Sequence, residues 1–356
     1  MNRTDEINNL GIFRAMDANV NRATEGLRVV EDFCRFLLND HYLCECTKRL
    51  RHRIVSAVSS DLSRKFACQR DAGSDVGAQI QTETEYERTE SASLVQANIK
   101  RAQQAIRSLE EFAKTFDSTL AEKIERIRYE AYSVETALTA TLSGKERIGD
   151  ASVYVLVDAS TSTADFTSRV RQIVAAGVDV LQLRSKSSDD CELIARSRII
   201  QTAIRDARER PLFIVNDRAD IAKITNADGV HLGQTDVSVA QARTILGCDF
   251  LVGVSTHSIE QARTAVSDGA NYIGVGPVFP SSTKSFNDFP GLDFVSLVAK
   301  ELSVPAFAIG GIDTENVERI IENGIRRVAV SNAVWNSADP TATIEKLKQR
   351  LGATTC

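Results

Sequence analysis

Residues 153–158 read VYVLVD, and seven comparable stretches follow: VLQLRSK (180–186), LFIVND (212–217), GVHLGQTD (229–236), FLVGVSTH (250–257), YIGVGPVFPSSTK (272–284), PAFAIGG (305–311) and RVAVSN (327–332). Each opens on a short run rich in Val, Ile and Leu, the composition of a buried parallel strand. Between them lie amphipathic patterns such as DFTSRVRQIVAAG and SIEQARTAVSDG. Several end in a glycine suited to a helix C-cap: Gly177, Gly247, Gly269 and Gly324. Strand and helix periods in strict alternation predict βα units and a parallel sheet. Eight such units predict a closed (β/α)8 TIM barrel over 151–356, at the compact end of the range for that fold. Active sites of such barrels form at the C-terminal strand ends. Here the apolar runs end in residues capable of chemistry.

The first 145 residues have a different period. Segments 11–38, 41–66, 92–116 and 118–142 carry apolar residues at three- and four-residue spacing and predict helices. The polar stretch RDAGSDVGAQIQTETEYERTE (70–90) reads as a loop. An internal repeat relates ANVNRATEGLRVVEDFCRF (18–36) to ANIKRAQQAIRSLEEFAKT (97–115). Asn19, Arg22, Arg28, Glu31 and Phe33 recur as Asn98, Arg101, Arg107, Glu110 and Phe112. The repeat predicts two helical hairpins related by a pseudo-two-fold. Its charges read as ion pairs between or along helices. A sharper alternative lines anion pockets with Arg22 and Arg101 under the 70–77 loop. The small, charged segment SGKERIGDAS (143–152) predicts the boundary between an all-α domain, 1–145, and the barrel, 151–356.

Composition bounds the function. The chain has 356 residues, 43% hydrophobic and 26% charged, with a net charge of −5. That balance argues against a general nucleic-acid binder, whose phosphate-tracking surface is basic. No apolar run approaches the roughly 18 residues of a membrane span, and MNRTDEINNL lacks the pattern of a secretory signal, so a cytoplasmic location and no membrane partner are expected. The seven cysteines follow no framework spacing and read as free thiols. His41, Cys44, Cys46 and His52 fit no standard zinc pattern.

The strand ends divide into groups. Gln182 and Arg184 share a face by strand alternation, with Lys186 beyond them. Two cations and an amide suit a polyanion, although a salt-bridge lattice uses the same residues. Asn216-Asp217 and Asp236 end neighbouring strands. Two carboxylates there suit Mg²⁺ together with phosphate oxygens; the alternative is helix N-capping. Ser255 and His257 suggest a nucleophile pair, but nothing marks a triad or nucleophile elbow. The long PVFPSSTKSFNDFPG loop offers Ser281, Thr283 and Lys284 to phosphate, or is a plain surface loop. Gly310-Gly311 and Val330-Ser331 follow strands seven and eight, where barrels often bind phosphate by backbone N–H groups. Two anion pockets on one rim suit the joining of two phosphorylated small molecules.

Taken in order, LQLRSK, FIVNDRADIAKITNADGVHLGQTD, GVSTH, GPVFPSSTK, AIGGI and VAVSNAV resemble the thiamine-phosphate synthase family over 150–351. The helical half resembles a domain fused to some members. The resemblance implies a transferase that condenses an aminopyrimidine diphosphate with a thiazole phosphate and releases diphosphate. It implies that Gln182, Arg184, Lys186 and Asn216 hold the pyrimidine diphosphate, and that Asp217 and Asp236 bind Mg²⁺ as cofactor. It further implies Ser255 beside the pyrimidine, and Ser281, Thr283 and Lys284 on phosphate groups, with Lys284 on the leaving diphosphate. Gly311, Val330 and Ser331 would receive the thiazole phosphate. The catalytic set so implied is Arg184, Lys186, Ser255 and Lys284. Two positions depart from the family pattern: Ser185 stands where Glu is usual, and Ser281 where Thr is usual. Alternative readings are a related thiazole-phosphate tautomerase using His257, and a non-catalytic thiamine-precursor sensor. The expected partners are phosphorylated small molecules; whether the chain forms a homo-oligomer is left open.

Overall fold

Val- and Ile-rich runs form strands where β-branched side chains can pack on both faces of a sheet. The computed structural model describes residues 3–69, 91–185, 189–280 and 289–352, and divides into Met1–Leu138 and Thr139–Cys356.

In the second unit, β1 (Val153–Asp158), β2 (Val180–Arg184), β3 (Leu212–Asn216), β4 (Gly229–Leu232), β5 (Leu251–Thr256), β6 (Tyr272–Val275), β7 (Ala306–Ile309) and β8 (Val328–Val330) pair in sequence order as parallel neighbours and close on themselves. The predicted eight-stranded barrel is therefore present. The four glycines read as C-caps have φ of +76°, +85°, +89° and +94°, values that only glycine adopts without strain. The interior is filled by Tyr154, Leu156, Val180, Ile214, Leu251, Tyr272, Phe307 and Ala329.

In the first unit, α1 (Arg3–Asp32) leads through a π turn at Phe33–Leu37 to α2 (His41–Ala57), α3 (Ser60–Cys68), α4 (Ser91–Ala113) and α5 (Ser118–Ile148), whose last turns, from Thr139, belong to the second unit. The helix expected over 41–66 is two helices. Val58 is extended, and the Ser59 hydroxyl accepts from Leu62 N, so a serine N-cap restarts the chain. The repeated helices α1 and α4 pack on each other closely. A Cβ at Gly26 would lie 2.8 Å from Asn98 O. Equivalent residues make equivalent contacts. Asn19 Nδ2 donates to Ala15 O and Asn98 Nδ2 to Leu94 O, both at 2.8 Å. Glu31 accepts from Arg51 Nε of α2 at 2.9 Å, and Glu110 from Arg128 Nε of α5 at 2.7 Å. The repeat thus encodes a buried carboxylate that each repeat helix offers to the helix after it. Arg28 and Arg107 join these pairs, whereas Arg22 and Arg101 are exposed. The 70–77 segment lies outside the described residues.

Glu110 makes this unit sensitive to acid. Burial alone would raise its carboxyl, but hydrogen bonds from Arg128 and Lys114 hold it below the ordinary carboxylate value. A depressed folded-state pKa contributes stability above the unfolded value of about 4.3, and that stability is lost as pH falls through the folded value. Denaturant midpoints measured from about pH 7 down to about pH 3 should therefore fall more steeply for the parent chain than for Glu110→Gln. Parallel curves would exclude the assignment.

The segment expected to be a linker at 143–152 is helical as far as Ile148, because α5 continues without a break. Its small residues serve packing. A Cβ on Gly144 would lie 1.9 Å from Asn271 O, so only glycine lets the helix come this close. Ala140 O accepts from Asn271 Nδ2 at 3.1 Å, Arg147 Nη1 donates to Asp249 O at 2.5 Å, and Ile148 joins the barrel core. These partners precede β5 and β6. The last turns of α5 therefore cover the N-terminal mouth of the barrel, at the opposite end from the candidate site.

Candidate active site

The rim is assembled by strand alternation. Asn216 of β3 is in register with His231 of β4, His231 with Gly253 of β5, and Gly253 with Tyr272 of β6. Gln182 is 2% exposed and donates from Nε2 to Tyr154 Oη at 2.8 Å, so its side chain turns into the barrel. Arg184, two residues on, is half-buried at the strand end. Ser255 is half-buried, with Oγ 2.9 Å from His231 Nε2. Burial pushes His231 down to about 4, with the Asp236 charge acting to raise it and the Arg184 charge to lower it. Ser255 is thus hydrogen-bonded to this imidazole, the Arg184 and Asp236 charges act on it, and Gln182 is linked to it through the Tyr154 and Tyr272 hydroxyls. Lys186, Ser281, Thr283 and Lys284 lie outside the described residues.

Asp217 and Asp236 are both exposed, and neither caps the helix after it. The N-cap of the helix Ala219–Ile224 is Arg218, without a side-chain cap, and that of the helix Val239–Leu246 is Ser238, in a capping box with Gln241. Asp217 has φ +62°, a left-handed conformation that aspartate and asparagine tolerate better than most residues. Asp236 Oδ2 accepts from Gly233 N at 2.6 Å, which folds its carboxylate back over the end of β4. Hard oxygen donors on adjacent strand ends, with helix capping removed as their explanation, fit Mg²⁺ chemistry.

Across the rim, Gly310 and Gly311 have φ of +106° and +63°. Their lack of a side chain also serves packing, since a Cβ on Gly310 would meet Pro277 Cα at 2.8 Å and one on Gly311 would meet Pro280 O at 2.6 Å. Val330 is buried, and Ser331 Oγ donates to Leu156 O at 3.4 Å. These residues lie at or just after the ends of β7 and β8, away from the group on β2 to β5.

In the sequence Ser255 and His257 suggest a nucleophile pair that nothing marks as a triad. The hydroxyl instead meets His231, while His257 Nδ1 lies 2.5 Å from Gly276 O. His231 was visible as the inward residue of GVHL by alternation with Gly229. Its polar character within an apolar run was the available signal. Tyr154 and Tyr272 carried none, because aromatic residues belong in any strand core.

Residues 153–334 match the family described as thiamine monophosphate synthase, and residues 14–137 match the ThiD2 family. A thiamine-phosphate synthase of Rhodopirellula baltica is 43% identical over 332 residues, covering 91% of this chain and 88% of that protein. One from Synechocystis is 38% identical over 341 residues, covering 95% and 96%. Both therefore extend over the helical unit as well as the barrel. Among solved structures, a thiamine phosphate pyrophosphorylase from Pyrococcus furiosus is 27% identical with a TM-score of 0.51, covering 58% of this chain and 98% of its own. With the ordered strand-end motifs, the closed barrel and relatives matched along nearly the whole length, the chain belongs to the thiamine monophosphate synthase family.

Proposed function

We propose that the chain condenses an aminopyrimidine diphosphate with a thiazole phosphate, forming thiamine phosphate and releasing diphosphate. The observation that carries this reading is Ser255 and the Arg184 and Asp236 charges at His231, with Gln182 linked to it through two tyrosine hydroxyls, in a barrel of the matched family. Arg184 binds the diphosphate at the strand end, assisted by Lys186 and Lys284. Gln182, Asn216 and Ser255 hold the pyrimidine. Gly311, Val330 and Ser331 receive the thiazole phosphate on the other side of the rim. Asp217 and Asp236 hold Mg²⁺, which when bound neutralises charge on the departing diphosphate.

The bond-making follows from charge. The pyrimidine ring delocalises positive charge at its exocyclic methylene as the C–O bond breaks. Arg184 and the two lysines stabilise the leaving group, and the thiazole nitrogen then attacks the cationic carbon. Holding both substrates in register supplies much of the rate. No protein nucleophile is required, which agrees with His231 carrying a tyrosine hydroxyl rather than a carboxylate opposite Ser255. Ser185 removes a carboxylate from the diphosphate side relative to the family pattern, which changes local charge without removing a ligand of this scheme.

Incubation of the purified chain with both substrates and Mg²⁺ should release diphosphate in step with thiamine phosphate, and neither substrate alone should do so. Absence of diphosphate release from a folded protein would reject the proposal.

A further inference from the structure

Beneath the rim, one chain of hydrogen bonds links two site residues through the barrel interior. Gln182 Nε2 donates to Tyr154 Oη at 2.8 Å, and Tyr154 Oη lies 3.2 Å from Tyr272 Oη. Tyr272 Oη lies 3.2 Å from His231 Nδ1, and His231 Nε2 lies 2.9 Å from Ser255 Oγ. The five residues come from β2, β1, β6, β4 and β5. Gln182, Tyr154 and Tyr272 are each 2% exposed. The backbone makes room for the chain. A Cβ on Gly253, which lies between His231 and Tyr272 in register, would sit 2.1 Å from the Tyr272 ring. Gly274, in register with Ser255, leaves its space to the His231 ring, whose Cε1 would be 3.4 Å from a Cβ there.

The proton inventory gives the chain a direction. A phenol and a neutral imidazole each have one proton to donate, and a buried donor left unused costs free energy. Burial raises the pKa of both tyrosines, so they remain phenols, and both ring nitrogens of His231 face neutral hydroxyls, the setting of a neutral imidazole. Tyr154 accepts from Gln182, so its own proton goes to Tyr272. Tyr272 then donates to His231 Nδ1. The imidazole proton therefore sits on Nε2 and is donated to Ser255 Oγ. With that oxygen already accepting, and no other partner for it among the described residues, the serine proton is left for the site.

We propose that Tyr154, Tyr272 and His231 are positioning residues that fix the hydrogen-bond polarity of the substrate pocket: His231 is held as the Nε2–H tautomer, and Ser255 is thereby a donor to an unprotonated ring nitrogen of the ligand. The second half of the statement rests on the proposed aminopyrimidine substrate, whose ring nitrogens are acceptors. A ring that presents N–H at the same place meets a donor and is disfavoured. Such a polarity device discriminates between heteroaromatic rings of equal size, which an apolar pocket does poorly.

The test is ¹⁵N NMR of the full chain labelled at histidine, with His231 assigned from His231→Gln. The free protein near neutral pH should show His231 with Nε2 protonated and Nδ1 unprotonated. Tyr272→Phe should move part of the proton population to Nδ1 and raise KM for the pyrimidine diphosphate about tenfold, the loss of about one hydrogen bond, with KM for the thiazole phosphate unchanged. Tyr154→Phe should raise the same KM. A His231 protonated at Nδ1 in the parent chain overturns the proposal, and so does a tautomer unmoved in a folded Tyr272→Phe. A rise in both KM values together would mark the tyrosine as merely structural and also overturn it. The parent-chain tautomer requires no tyrosine variant to fold. It also separates the two readings, because the expected tautomer without diphosphate release rejects the proposed reaction and leaves the chain standing.

Discussion

Asp217→Asn is expected to lower kcat about a thousand-fold, close to 4 kcal/mol of transition-state stabilisation, with the melting temperature unchanged. The residue choice follows from the backbone. Asp217 sits at φ +62°, where asparagine is tolerated as well as aspartate, so this substitution removes charge without removing fit. Asp217→Ala should lose the same activity and about 1 kcal/mol of stability besides, because alanine has no side chain to support a left-handed conformation. Steady-state diphosphate release titrated with Mg²⁺ would read both effects. The N-cap position of the helix after Asp217 is Arg218, not Asp217. A variant turning over at the parent rate with the parent Mg²⁺ dependence would remove Asp217 from the metal site.

The second large effect concerns where the barrel begins. A chain starting at Thr139 is expected to fold and to release diphosphate, whereas one starting at Ala151 is expected to be too unstable to isolate folded. The difference is the last ten residues of α5. Without Ile148 the barrel core has a cavity of one large aliphatic side chain, about 3 kcal/mol. Without Ala140 O, the amide of the buried Asn271 loses an acceptor, about 1–3 kcal/mol. Together these approach about 5 kcal/mol, the whole net stability of a marginal domain. A cut after residue 145, which composition suggests, still removes Ala140 and Gly144. Circular dichroism and thermal melts of the two truncations would compare them. Equal melts would show that the turns covering the mouth contribute nothing. A folded but inactive chain from Thr139 would show that the helical unit completes the active site.

Much of this architecture was legible because it is local and periodic. Eight apolar runs alternating with 3.6-residue patterns specify βα units, and each glycine read as a C-cap occupies a left-handed conformation. The grouping of Gln182 with Arg184, and the placing of Asp217 and Asp236 on neighbouring strand ends, follow from strand alternation and order alone. The repeat in the helical half likewise announced equivalent helices before any partner of Glu31 or Glu110 was known. Composition misled where one residue type serves two purposes. Glycine and charge in SGKERIGDAS look like a linker, yet Gly144 is small because a backbone passes it, and Arg147 is charged because strand-entry carbonyls await it.

What the sequence by itself determined is the set of elements, their order, and which side chains each strand turns inward, since these depend on periods of 2 and 3.6 residues within one segment. Tertiary structure decided which inward side chains meet. Ser255 is two residues from His257 in sequence but pairs with His231, because β4 lies beside β5 while β5 ends at Thr256 and the His257 ring lies against Gly276 O. The path from Gln182 to Ser255 crosses five strands through contacts up to 118 residues apart, and no local pattern records it. Interior contacts of this kind are set by closure and packing, and they come into being only when the last strand returns to the first.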